Sequence, residues 1–172
     1  MKNRILAVLV ATAVLASSAL ALQKLGILNP GMKATAGSFD APAAKLGKKP
    51  ASAWSATTVA AAPGGKPLKG KIISVTGEIV DLSCYLQVGK HGDKHRDCGQ
   101  KCLRAGQPIG LVSADGNIFL LMEEEHNPRR DGLTNFRAAA IENMAKIVTV
   151  TGTSSKVKGQ RTLYVTGYMK RK

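Results

Sequence analysis

The sequence predicts a mainly-β domain over residues 71–172, a five-stranded barrel with one helix between strands three and four and a Cys/His-rich insertion between strands one and two. Three observations predict it. Runs rich in β-branched residues recur at 72–82, 108–113, 117–122, 147–153 and 162–169, the length and texture of strands. One helical pattern lies between the third and fourth of these runs. A polar segment holding all three cysteines of the chain lies between the first and second.

Ahead of the domain, Lys2 and Arg4 precede an uncharged run from Ile5 to Leu22 that ends Ser17-Ser18-Ala19-Leu20-Ala21. A positive start, an apolar middle and an Ala-x-Ala end read as a signal peptide over 1–22, cleaved after Ala21. The alternative is an uncleaved anchor, since the run approaches the ~20 residues that span a bilayer. Either reading exports the chain to the periplasm or cell envelope, where cysteines meet oxidising conditions. Membrane contact is then expected only through this segment, if it stays uncleaved.

Residues 23–70 are rich in Ala, Pro, Gly and Lys, with Phe39 and Trp54 as the only aromatics. Too little apolar surface is on offer to offset the entropy of ordering, so a disordered tether is expected. Trp54 reads as an isolated aromatic within it.

Each element of the domain has a local reason. The first strand spans 72–82, and Gly77 in its middle predicts a bulge or sharp bend. Asp115-Gly116, between two apolar runs, predicts a hairpin. Thr134 reads as a helix N-cap, with Phe136, Ala140, Ile141 and Met144 on one helical face. Lys158-Gly159 turns the chain between the last two strands.

The insertion carries the chemistry. Cys84, His91, His95, Cys98 and Cys102 fall within nineteen residues. If 91–102 is helical, His91, His95, Cys98 and Cys102 form one stripe at i, i+4, i+7 and i+11, and chain reversal can return Cys84 to it. Thiolate and imidazole together suit zinc, and three thiolates with one imidazole equally suit Cu(I). Cys84, His95, Cys98 and Cys102 are the expected metal ligands, with His91 as a spare or outer partner. His126 and Met122 could complete the set from the neighbouring loop.

Two other outcomes compete. Cys84 could form a structural disulfide with Cys98 or Cys102, leaving an odd thiol. Alternatively, Cys98 and Cys102 could act as a thiol–disulfide redox pair. No Ser-His-Asp order, phosphate loop, haem motif or zinc-protease motif occurs, so no catalytic residue is expected.

The order of elements is that of an OB barrel. The segment Val-Thr-Val-Thr-Gly-Thr…Gly-Gln-Arg-Thr-Leu-Tyr-Val, residues 148–165, resembles the closing hairpin of small exported bacterial OB-fold domains. The likeness extends over 71–172, and Cys-Tyr followed by His-x2-Cys-x3-Cys is similar to a pattern in other exported proteins. It implies a five-stranded OB-like architecture and a ligand-facing loop between strands one and two. Fold alone assigns no activity.

A net charge of +14 is spread over linker and domain, with +6 in 23–70 and +6 in 71–172. Such a charge fits an anionic surface, an envelope protein or another polyanion as partner. Export and an aromatic content of 4% disfavour nucleic acid. The favoured reading is an exported metal-binding domain serving in metal handling or as a metal-stabilised interaction module. A disulfide-stapled polyanion-binding module is the further alternative.

Overall fold

The computed structural model describes residues 32–124 and 135–168. The stretch read as a signal peptide, His126 and the expected cap residue Thr134 lie outside them. Among the described residues the chain is mixed α/β rather than mainly β. Six strands are present: β1 (Lys45–Leu46), β2 (Gly70–Asp81), β3 (Ile109–Ser113), β4 (Ile118–Glu123), β5 (Ile147–Val157) and β6 (Gln160–Val165). Four α-helices accompany them: α1 (Ala56–Ala61), α2 (Leu82–Val88), α3 (Arg96–Arg104) and α4 (Asn135–Glu142). The three further helices come from the insertion, where α3 covers part of the stretch considered for a helix, and from the stretch expected to be a tether.

Five strands close on themselves. β2 runs antiparallel to β5 along 70–78 and to β3 along 77–81. β3 and β4 form the Asp-Gly hairpin, β4 runs parallel to β6, and β6 returns antiparallel to β5. The order β5-β2-β3-β4-β6 therefore ends where it began, and no barrel edge is left along the closing pair.

β2 is the strand shared by both halves, and Gly77 is where it changes partners. Both registers pass through it without an extra residue, so the expected bulge is absent. The glycine is needed for space instead: a Cβ there would lie 2.6 Å from the Val112 carbonyl oxygen and 2.9 Å from Leu111 Cγ.

The barrel interior is filled by Ile79, Leu111, Val148, Val150 and Leu163, each wholly buried. Its end is closed by α4 and α3. Phe136, Ala140, Ile141 and, just past the helix, Met144 all point inward, together with Leu103 of α3. Gly99 lets α3 approach this lid, because Met144 Cε occupies the place of its missing Cβ.

Residues 32–70, expected to be a disordered tether, lie along the barrel as a strap. Thr35 N–H donates to the Ala145 carbonyl, Ala43 N–H to Ile147 and Thr149 N–H to Ala44. β1 pairs parallel with β5 beside Thr149 and Val150, burying Leu46 in the core. Backbone groups on the free stretch of β5 supply the order that side-chain composition does not. Among the described residues no helix is long and apolar enough to cross a membrane.

Replacing Gly77 by alanine should force the backbone of β2 from β3 and cost about 1–3 kcal/mol, the usual range for overpacking. A lower urea midpoint at unchanged slope is the expected result.

Candidate metal centre

The insertion begins where β2 ends. Asp81 is the last residue of β2 and the N-cap of α2, its Oδ1 accepting from Ser83 N–H at 3.1 Å. An N-cap carboxylate is ordinary on a surface. This one is fully buried, under α2 and α3.

Cys84 follows one turn into α2. The helix ends at Gly89, and Gly92 takes φ +70°, with Lys33 of the strap so close that a Cβ would lie 2.7 Å from its carbonyl oxygen. A 3-10 turn, Asp93–His95, then leads directly into α3. The stripe expected from His91 to Cys102 is thus broken: only Cys98 and Cys102 share a regular helix, and His91 and His95 are placed by turns. Left-handed backbone at Gly92 ends the helical run.

The break is what gathers the donors. Asp81 Oδ, Cys84 Sγ and a His95 ring nitrogen lie within 4.8 Å of one another, a group that could hold a metal ion. His95 Nε2 stands 3.8 Å from Asp81 Oδ2, too long for a hydrogen bond, and both atoms are buried without a hydrogen-bond partner. Two facing polar atoms left bare in this way call for something between them. Ligands about 2.1 Å from a tetrahedral ion would stand roughly 3.4 Å apart, so this one pair needs a contraction of only a few tenths of an ångström.

The other sequence candidates are arranged around this group. Cys102, on α3, is near enough to Cys84 and Asp81 to be coupled to both electrostatically. Cys98, one turn earlier, is exposed. His91 is buried elsewhere: its Nδ1 lies 3.0 Å from Glu78 Oε2, while Glu78 Oε1 accepts from Gly92 N–H at 2.7 Å. The Nε2 of His91 is buried without a partner. No disulfide joins the three cysteines.

Burial and then the Asp81 carboxylate push the Cys102 thiol up to about 12. The same two causes, in the same order, raise the Cys84 thiol, against which the Cys102 contact acts weakly. Burial lowers the His95 imidazole and keeps it neutral, the form that ligates metal. An activated redox thiol is shifted the opposite way, so Cys102 in this setting lacks the thiolate character of a nucleophile.

Asp81, in the candidate metal group, and Glu78, behind it, are the residues that sequence reasoning missed. Their signal was two carboxylates set within the apolar run Gly77-Glu78-Ile79-Val80-Asp81-Leu82, with Asp81 three residues before Cys84. Comparison with known protein families, curated proteins and solved structures finds no match.

Removing Glu78 should unseat the turn that delivers His95. Glu78→Ala strands a buried imidazole and the Gly92 N–H, for an expected loss of about 1–3 kcal/mol. Glu78→Gln keeps an acceptor for Gly92 and should cost less; chemical denaturation of the two variants side by side checks the order.

Proposed function

We propose that the chain is an exported metal-binding protein whose barrel is of the OB type, with Asp81, Cys84, His95 and Cys102 as ligands to one zinc ion. The observation that carries this reading is the pair of bare, buried donors, Asp81 Oδ2 and His95 Nε2, facing each other beside Cys84. Four donors of mixed N, O and S type match a closed tetrahedral zinc site. The carboxylate favours zinc over Cu(I), which takes soft donors and would leave Asp81 bare. Cys98, being exposed, stands outside this ligand set, and the Glu78–His91 pair supports the loop from behind.

OB type is supported by the parallel β4–β6 closure and by the placement of α4 before β5. Export rests on the Lys2/Arg4 start and Ala-x-Ala end of residues 1–22. The role proposed is metal handling, or a metal-stabilised interaction module, in the cell envelope. Binding would replace the thiol protons and tie α2 to α3 across the end of β2, coupling occupancy to the order of the insertion.

Adding Co2+ to the reduced full chain should produce a thiolate-to-cobalt charge-transfer band that saturates at one equivalent and is displaced by Zn2+. Asp81→Asn and His95→Gln should weaken zinc by about 100-fold or more, since even outer partners of a metal cost 10–100-fold. Cys98→Ser should stay within about threefold of the unaltered protein, a change too small to represent a lost ligand. Absence of the band in the reduced protein would overturn the reading.

A further inference from the structure

A cavity of about 230 Å³ opens between the strap and the β4, β5 and β6 strands, lined by none of the candidate metal ligands. Its construction depends on Trp54. The indole N–H donates to the Leu68 carbonyl at 2.7 Å, and the ring stands edge-on to Tyr164 with centroids 5.2 Å apart. Gly70 leaves room for it: a Cβ there would lie 2.8 Å from Trp54 Cε2. The strap therefore brings an aromatic wall to the barrel and fixes its orientation.

The polar groups in that cavity are few and specific. Glu124 is 4% exposed, and its Oε1 already accepts from Ser55 N–H at 2.9 Å and from the Thr58 hydroxyl. Its Oε2 has no partner among the described residues, although the side chain lines the cavity. Ser155, 6% exposed, also lines it and makes no side-chain hydrogen bond among the described residues. Neighbouring Glu123 is turned to another task, accepting from Phe136 N–H. The rest of the wall is largely apolar, with Pro67, Leu68 and Met122 beside the two rings.

We propose that this cavity binds a small primary amine carrying an apolar or aromatic body. A carboxylate and a hydroxyl on one cavity wall suit a donor with more than one N–H. An ammonium supplies three and brings the charge that matches Glu124. Trp54 and Tyr164 line the cavity with aromatic surface, which suits a cation with an apolar tail. The volume lies at the small end of ligand cavities, which limits the guest to a short molecule. An anion would meet Glu124, so the basic character of the chain as a whole does not describe this site. The inference is independent of the metal centre.

Trp54 is the only tryptophan of the chain and reports directly on the cavity. The full-length protein is titrated with phenethylamine and, in parallel, with phenethyl alcohol, following indole fluorescence. The amine should saturate the signal and bind at least about tenfold more tightly than the alcohol, the margin a charge-assisted hydrogen bond provides. Glu124→Gln retains an oxygen for Ser55 and Thr58 but loses the charge, and should reduce amine binding to the level of the alcohol. Ser155→Ala should weaken it severalfold and, being small, keeps the strand intact should the Glu124 variant fail to fold. Equal binding of alcohol and amine would show an apolar pocket only and overturn the proposal. So would the absence of a saturable response, or amine affinity unchanged in both variants.

Discussion

Glu78 and Asp81 leave water when the chain folds, because β2 is held between β5 and β3 and its end is sealed by α2 and α3. A carboxylate so placed must recover in protein contacts what it loses in hydration, or its burial opposes folding by several kcal/mol. Glu78 does so with an imidazole and a backbone N–H. Asp81 does so only by half, through one N–H at Oδ1. The geometry of the whole insertion follows from this asymmetry. The Gly92 bend, held against Lys33, turns its N–H to Glu78, and His95 follows three residues later on the unsatisfied side of Asp81.

The barrel was largely legible in the sequence because its signals are local. β-Branched runs, Asp115-Gly116 and Lys158-Gly159 each specify their own few residues, and Phe136, Ala140 and Ile141 mark the buried face of α4 without help from elsewhere. The site was legible in part. Cys84 and His95 stood out by residue type in a short segment. Asp81 did not, because a carboxylate at the end of a strand reads as an ordinary cap, and only tertiary burial makes it a donor facing inward. The single helical stripe failed for a similar reason: the conformation of Gly92 is imposed by Lys33, nearly sixty residues away.

The strap shows the converse. Its composition offers few apolar anchors, and the entropic argument for disorder is sound for a chain in isolation. What that argument omits is a template. β5 presents unpaired backbone groups, and Leu46 and Trp54 each find a prepared seat, so a poor core-former becomes ordered by borrowing contacts from a barrel that stands beside it. Two large side chains and a row of amides suffice where a periodic pattern is missing.

One edge of β5 is divided between two tenants: β6 takes 152–157, and the strap takes the stretch near 147–150. The second tenancy is held by only a few backbone bonds. Any event that withdraws residues 32–48, whether cleavage or mechanical pull, would uncover the amides of Ile147 and Thr149 beside an otherwise closed barrel. An open segment of that kind is a template for an extended chain in parallel register, such as the same strap from a second copy. A reciprocal exchange of straps would then join two molecules with the bonds each already makes to itself, the arrangement of a domain-swapped dimer.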